Sequence, residues 1–93
     1  MVIAMSVNSA EMSTYIPPNG FVPNETTAIQ IAEAVWNPIY GEQQIKSERP
    51  YQASLQSGVW IVVGSLPKGV LGGVARAEIS KQDGRILSVS HGK

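Results

Sequence analysis

The chain has 93 residues, 43% of them hydrophobic and 15% charged, and its seven basic side chains balance seven acidic ones. This length and composition are typical of one globular domain with a modest core, and they exclude an intrinsically disordered chain. The zero net charge argues against a nucleic-acid partner, and the absence of cysteine removes disulfides, thiol nucleophiles and thiolate metal sites.

The N-terminal residues are predicted to be a flexible segment, residues 1–13, ahead of a single domain at residues 14–93. Residues 1–5 are apolar but follow no basic residue, and no stretch approaches the roughly 20 apolar residues of a membrane span. Ser9-Ala10 would suit a signal-peptide cleavage site. We therefore expect a cytoplasmic protein by default, and a periplasmic one if the N-terminus is the remnant of a signal peptide.

Residues 16–20 (IPPNG) predict an extended stretch and a turn, after which residues 24–41 carry the one sustained helical pattern. Asn24 is placed to cap this helix, Pro38 to end or kink it, and Gly41 to stop it. Its apolar stripe predicts a face that packs on a sheet: Ala28, Ile31, Ala32, Val35 and Ile39, widened by Trp36. Its polar side is formed by Gln30, Glu33 and Asn37.

Residues 42–49 are polar and predict a surface connection that ends at Pro50. Alternating or β-branched runs then predict four strands, at residues 51–56, 59–63, 74–80 and 85–91. Short turns at Ser57-Gly58 and Asp83-Gly84 favour antiparallel hairpins. The predicted fold class is therefore α+β, with one main helix on a curved four-stranded antiparallel sheet and an irregular N-terminal arm.

Within these strands, the pattern also predicts which side chains share a face. Leu55 is expected on a half-buried face. In the last strand Leu87 and Val89 are expected on one face and Ile86 on the other. The continuous apolar run at residues 59–63 predicts a central strand with contacts on both faces.

The sequence contains no catalytic motif, and we predict that the protein is not an enzyme and needs no cofactor or metal. Glu33 and Asp83 are explained by a helix surface and a turn. His91 has no serine or carboxylate at motif spacing, and we expect it to be exposed or packed at an edge, poorly held near the chain end. The glycines at 69, 72 and 73 lack the spacing and following helix of a phosphate loop.

The same glycine-rich loop favours a partner surface. Val70 and Leu71 are apolar, lie between glycines and follow Lys68. A compact exposed apolar group with a charged neighbour is typical of a protein-binding site.

Motifs along most of the chain, about residues 15–93, resemble one bacterial family. They are residues 20–23 (GFVP), 31–36 (IAEAVW), 38–41 (PIYG), 59–60 (VW), 64–67 (GSLP), 72–74 (GGV), 83–84 (DG) and 91–93 (HGK). As an ordered set they are similar to the nuclear-transport-factor-2-like-fold immunity proteins of polymorphic toxin systems. Asn37 departs from that pattern, because many relatives carry an apolar residue there.

The resemblance implies a cone-like or cystatin-like α+β fold and a protein that binds a cognate toxin or effector and blocks its active site. Because epitopes differ between cognate pairs, we expect the idiosyncratic polar connection and the glycine-rich loop to face the toxin. The predicted partner-binding residues are Gln43, Gln44, Lys46, Glu48, Arg49, Lys68, Val70 and Leu71.

Two alternatives remain at this point. The order of helix, hairpin, strand, Asp-Gly turn and strand also resembles a peptidase-propeptide (PepSY-type) inhibitory module. A small-ligand binder or enzyme of the same fold would need a deep polar pocket, for which Tyr51, Glu78 and His91 are the candidate lining residues.

Overall fold

The computed structural model of the protein describes residues 13–92. Its elements are α1 (Glu25–Tyr40), α2 (Glu42–Lys46), β1 (Gln52–Gln56), β2 (Val59–Val63), β3 (Ala75–Ser80) and β4 (Ile86–His91). The strands form one antiparallel sheet in the order β1-β2-β3-β4, and α1 packs across the first three of them. The α+β prediction is confirmed. The predicted flexible segment and its candidate cleavage site lie, except for residue 13, outside the described residues.

Helix α1 begins where its sequence places the cap. The Asn24 side-chain oxygen accepts a hydrogen bond from the Thr27 amide at 2.9 Å, which satisfies one of the four unpaired amides of the first turn. The buried stripe then follows a spacing of four residues, through Ala28, Ala32 and Trp36. The next position at a spacing of four is Tyr40, and Ile39 is rotated from it by about 100° around the helix. The prediction that Ile39 belongs to this stripe is therefore wrong. Ile39 is 57% exposed.

Pro38 does not end α1, because the helix continues to Tyr40 and stops at Gly41. The Gly41 amide donates to the Asn37 carbonyl at 2.9 Å. Pro38 has no amide to donate to the Ala34 carbonyl, so the helix continues past it with one main-chain hydrogen bond fewer. Asn37, predicted on the polar side of α1, is not fully exposed to solvent. Its Oδ1 is buried and has no hydrogen-bond partner among the described residues.

The connection predicted after α1 is instead a second, short helix. Helix α2 places Ile45 fully inside the core, while its other side chains remain exposed. One apolar residue among polar neighbours is enough to attach a single helical turn to the domain, because its burial removes that surface from water. The prediction of an irregular surface connection is therefore wrong for residues 42–46.

The two helices cover one face of the sheet. On that face Trp60 and Val62 of β2 are buried beside Ala77 and Ile79 of β3. The opposite face carries the alternate residues of β2, which are only half-buried, and no helix of residues 13–92 covers them. The prediction of contacts on both faces of β2 is wrong to that extent. Leu55 of the edge strand β1 lies opposite the buried Trp60, yet it is 45% exposed.

A bulge in β4 changes which side chains share a face. Ser88 lies opposite Glu78, but Ile86 lies opposite Ile79, so Leu87 is an extra residue in the ladder. An extra residue shifts the alternation by one position. Ile86 and Val89 therefore both pair with buried core-face residues, Ile79 and Ala77, and the prediction that Ile86 and Val89 lie on opposite faces is wrong.

The N-terminal arm is attached at one end of the sheet, which we call the turn end (residues 19–22, 57–58 and 81–85). The amides of Phe21 and Val22 donate to the carbonyls of Gln82 and Lys81, each at 3.0 Å, and the Lys81 amide donates to the Gly58 carbonyl at 2.9 Å. The Trp60 indole donates to the Val22 carbonyl at 2.7 Å.

Neither helix in residues 13–92 has the length and apolar character needed to cross a membrane.

Candidate functional site

The two segments predicted to face a partner meet at the other end of the sheet. We call this the loop end: α2 with residues 47–51, the β2–β3 loop (residues 64–74) and residues 91–92. The Ser65 amide donates to the Glu48 carbonyl at 2.7 Å, and its hydroxyl donates to the Pro50 carbonyl at 2.6 Å. The Gly92 amide donates to the Val74 carbonyl at 3.2 Å. The predicted partner-binding residues, although far apart in the sequence, therefore lie in one region of the fold.

Glu48 holds this region together from inside, and the prediction that it lies on the exposed surface is wrong. Its side chain is 2% exposed. Oε1 accepts from the Ala75 amide at 2.7 Å, and Oε2 accepts from Gln44 Nε2 at 2.9 Å and from His91 Nε2 at 2.7 Å. A buried amide at the start of a strand must find an acceptor, and a carboxylate is a strong one.

Gly64 makes room for this carboxylate. A Cβ built at that position would lie 2.6 Å from Glu48 Oε1 and 3.0 Å from the Glu48 Cβ. These distances are too short for nonbonded atoms, so any larger residue at 64 would displace the Glu48 side chain. The peptide bond between Arg49 and Pro50, which follows Glu48, is cis.

The surroundings of Glu48 and His91 favour the charged form of both side chains. Burial raises the pKa of Glu48, but the hydrogen bonds from the Ala75 amide, Gln44 and His91 outweigh burial and hold that pKa below its ordinary value. The hydrogen bond to Glu48, with a smaller effect from the Gly92 carbonyl, raises the pKa of His91. A carboxylate can only accept, so His91 Nε2 carries the proton in this contact.

His91 is therefore well held, contrary to the expectation of a poorly held chain-end residue. Its Nδ1 lies 2.9 Å from the Gly92 carbonyl oxygen, and its ring centroid lies 5.1 Å from that of Tyr40. The sequence offered no motif spacing for the Glu48–His91 pair, because 43 residues separate the two in the chain.

Arg49 is exposed but already has a partner. Its guanidinium lies 2.7 Å from a carboxylate oxygen of Glu33, and its side chain is 52% exposed. It also lies over the Tyr51 ring, with 5.9 Å between Cζ and the ring centroid. The Tyr51 hydroxyl donates to the Ile45 carbonyl at 2.8 Å. Arg49 therefore helps to attach α2 to α1, in addition to any role at the surface.

The remaining predicted residues form an accessible set: Gln43, Lys46, Lys68, Val70 and Leu71. Leu71 is 96% exposed and Val70 49%. Among residues 13–92, neither Lys46 nor Lys68 forms a side-chain ion pair. Sequence reasoning missed Leu66, which is 38% exposed in the same loop. Its place between a serine and a proline gave no periodic signal.

The three residues proposed to line a small-ligand pocket are not brought together. Glu78 projects on the uncovered face of the sheet, where it pairs with Arg76. Tyr51 and His91 lie on the helix-covered side and are engaged by α2 and Glu48. Within residues 13–92 the structure contains no cavity and no group of three or more potential metal ligands.

Comparison with known proteins indicates the family. The sequence model of the family described as NTF2 fold immunity protein matches residues 27–93. The chain is 37% identical over 73 residues to the uncharacterized protein YhhH of Escherichia coli (strain K12), covering 77% of this chain and 58% of that protein. It is 41% identical over 73 residues to the uncharacterized protein YbbC of the same strain, covering 77% and 60%.

The chain thus spans about three fifths of the length of these curated relatives. No solved structure matches it significantly. The matched region begins within α1 and includes every strand, and it contains all three parts of the loop end.

Proposed function

Because the chain belongs to the NTF2 fold immunity protein family, we propose that it binds a cognate toxin or effector protein directly and neutralises it by covering the active site. The observation that carries the proposal is the exposure of Val70 and Leu71 in the β2–β3 loop. Exposure of such apolar side chains to water is unfavourable, and the free energy falls when a partner covers them.

The charge around these side chains supports the same surface. Lys68 precedes the apolar pair in the loop, and Lys46 lies on α2, which Glu48 joins to that loop. An apolar centre with charged residues around it is the usual organisation of a protein interface. The lysines would speed association with an acidic partner surface, and the apolar centre would slow dissociation.

Neutralisation of this kind requires no bond to be made or broken by the immunity protein itself. We therefore propose a binding protein and not an enzyme. The compartment follows the target: the cytoplasm by default, or the periplasm if the N-terminus carries a signal-peptide remnant.

The first test is protection. Cells that express the chain should survive induction of the toxin gene encoded beside it, and the two proteins should co-purify as a stable complex. Survival should be compared with that of cells expressing an unrelated immunity protein. Failure to protect against, or to bind, every toxin encoded nearby would contradict the proposal.

The second test locates the surface. The double variant Lys46→Glu and Lys68→Glu should slow association at least about tenfold at low salt and leave the melting temperature unchanged, because both side chains are exposed. Arg85→Glu at the turn end is the matched control for Lys46→Glu alone, since each of these two variants reverses one charge and Arg85 lies far from the proposed surface. Equal slowing by both variants would mean that only net charge matters.

Leu71→Ala tests the apolar centre separately. Truncating a residue at the centre of an interface typically costs more than about 1 kcal/mol, which is roughly a tenfold faster dissociation rate. Ile16→Ala, at a residue 64% exposed in the N-terminal arm, removes comparable exposed apolar surface elsewhere and should leave dissociation unchanged. Dissociation that is unaffected by Leu71→Ala would place the interface outside the loop.

A further inference from the structure

We propose that Glu48 and His91 are positioning residues that fix α2 and the β2–β3 loop in a single arrangement, so that the toxin-facing surface exists before a partner arrives. The meaning of that surface rests on the proposed function. The contacts that fix it lie within the unbound protein and are tested there.

The geometry that carries the proposal is that one residue holds both ends of the loop. The main-chain carbonyl of Glu48 accepts from the Ser65 amide at 2.7 Å, at the start of the loop. Its side chain accepts from the Ala75 amide at 2.7 Å, at the first residue after the loop. The Gly64 amide also donates to the Ala75 carbonyl at 2.9 Å, so the β2–β3 pairing joins the two ends of the loop, and Glu48 fixes both ends relative to α2.

The same side chain joins the loop to α2. Gln44 of α2 donates to Glu48 Oε2 at 2.9 Å, and the Glu48 amide donates to the Ile45 carbonyl at 2.9 Å. His91 completes the set from β4 at 2.7 Å. A side chain with fewer acceptor positions than a carboxylate could not serve all three side-chain contacts.

The loop itself has little internal support. Between residues 66 and 73 the described main-chain hydrogen bonds include one within the loop, from the Val70 amide to the Pro67 carbonyl at 3.1 Å. Segments with few hydrogen bonds and exposed side chains open at low free-energy cost. The position of Leu71 and Lys68 therefore depends on how firmly the two loop ends are held.

Burial makes this arrangement dependent on charge pairing. Glu48 is 2% exposed, and a buried carboxylate without a cationic or donor partner is strongly unfavourable. His91 supplies that partner, and Gly64 supplies the space. Loss of either Glu48 or His91 should loosen the loop end without touching the main-chain contacts that hold the turn end.

Amide hydrogen exchange of the unbound protein provides the test, with Glu48→Leu and Glu48→Gln as a matched pair of similar size. The leucine side chain cannot accept a hydrogen bond, so exchange at Ala75 should accelerate about 10- to 100-fold, the equivalent of one lost charge-assisted bond. Exchange at Ser65, whose main-chain acceptor is kept, should accelerate by a smaller factor. Glu48→Gln keeps an acceptor for the Ala75 amide and should fall between Glu48→Leu and the wild type. The amides of Phe21 and Lys81 at the turn end should be unchanged.

His91→Leu should accelerate exchange at the same loop-end amides by a smaller factor, about 3- to 10-fold, because the Ala75 contact remains. Ser90→Ala, at the exposed neighbouring residue of β4, is its control and should change nothing. Unchanged loop-end exchange in Glu48→Leu would overturn the proposal. Equal acceleration at both ends would also overturn it, since Glu48 would then support the whole fold and not one surface.

Binding measurements add an independent reading. With a toxin that binds the wild type, Glu48→Leu should lower affinity at least about tenfold, and Glu48→Gln should restore most of it. Wild-type affinity in a Glu48→Leu variant with a loosened loop would overturn the claim that this arrangement matters for recognition. If no toxin binds the wild type, the proposed function fails, while the exchange experiment still decides whether Glu48 and His91 position the loop.

Discussion

The two ends of the sheet are held by different kinds of contact. At the turn end, main-chain hydrogen bonds join residues 21 and 22 to residues 81 and 82, and residue 81 to residue 58. At the loop end, the side chain of Glu48 supplies the acceptors for Ala75, Gln44 and His91. Main-chain hydrogen bonds from Gly64, Ser65 and Gly92 contribute at the loop end as well, but the loop end depends in addition on the three contacts of one buried carboxylate.

This difference bears on how each end tolerates change. Main-chain contacts survive most side-chain substitutions, provided that the backbone conformation is kept. Contacts to a carboxylate depend on residue type, on protonation and on the space around it. The end that carries the proposed binding surface is therefore the end that is more sensitive to substitution and to pH.

The largest expected effect comes from Trp36→Ala, which removes the side chain that ties α1 to the loop end. Trp36 is fully buried, its indole lies 3.4 Å from the Arg76 carbonyl, and its ring packs edge-on to Tyr51 at 5.5 Å. We expect a loss of about 3–5 kcal/mol in the free energy of unfolding, measured by urea denaturation. Ile39→Ala on the exposed side of α1 is the control and should cost less than about 0.5 kcal/mol. A small loss for Trp36→Ala would mean that the ring is not buried.

Alanine at two glycines compares the two ends directly. At the turn end, a Cβ on Gly20 would lie 2.4 Å from the Lys81 carbonyl oxygen, and the φ angle there is +84°. Strain and overlap with backbone should together cost about 2–5 kcal/mol. At the loop end, Gly64→Ala would overlap the Glu48 side chain, which can move, and should cost about 1–3 kcal/mol.

Gly58→Ala serves as the control for Gly20→Ala, because its φ is also positive, at +79°, but nothing lies within 4 Å of the added Cβ. It should cost about 1–2 kcal/mol from backbone strain alone. Urea denaturation of the three variants gives the ranking. If Gly64→Ala cost more than Gly20→Ala, the Glu48 region would be more rigid than the main-chain contacts of the turn end.

The pH dependence of the free energy of unfolding should report on the loop end above about pH 6.5, because His91 lies there. At low pH the turn end also contributes, because the hydrogen bond from the Arg85 amide lowers the pKa of Asp83. The raised pKa of His91 gives a stabilisation that is complete below its unfolded value of about 6.5 and is lost as pH rises through the folded value. The lowered pKa of Glu48 gives a stabilisation that is present above its unfolded value, about 4.3, and is lost as pH falls through the folded value. The pair therefore contributes most between these limits.

Two measurements check this. The single histidine in the sequence can be titrated by NMR, and its pKa should exceed the ordinary value in the wild type and fall in Glu48→Gln. In urea denaturation, His91→Gln should lose the decline in stability that the wild type shows as pH rises above about 6.5. A histidine that titrates at or below its ordinary pKa would contradict the pairing.

The smallest effect is expected from the exposed pair Arg49–Glu33. Its charges lie 2.7 Å apart, but the side chains are 52% and 26% exposed, so solvent screens the attraction. A double-mutant cycle with Arg49→Ala and Glu33→Ala should give a small coupling that weakens as salt is added. A much larger coupling would mean that this ion pair, and not Glu48, holds α2 in place.

Local patterns were enough to predict most of the fold. Asn24 caps α1 because its side chain accepts from an amide three residues away, and such a contact depends only on nearby residues. The strand at residues 59–63 and the turn at Ser57-Gly58 likewise depend on neighbouring residues. The helix of residues 42–46 was not predicted, because a single buried Ile45 gives no periodicity.

The candidate site was harder to predict than the fold. Gln43, Lys46, Lys68, Val70 and Leu71 are exposed as their composition indicates, and their role in binding remains a prediction. Glu48 resembled its polar neighbours in the sequence. Its burial depends on Ala75 and His91, which lie 27 and 43 residues farther along the chain.

By itself, the sequence determined the α+β class, the caps and turns, the antiparallel order of the strands and the resemblance to an immunity family. Each of these follows from residues that are close together in the chain or from ordered motifs. Only the tertiary structure decided which polar residues are exposed and which are buried. The reason is that the environment of a charge depends on the donors around it in space, and the donors to Glu48 come from α2, β3 and β4.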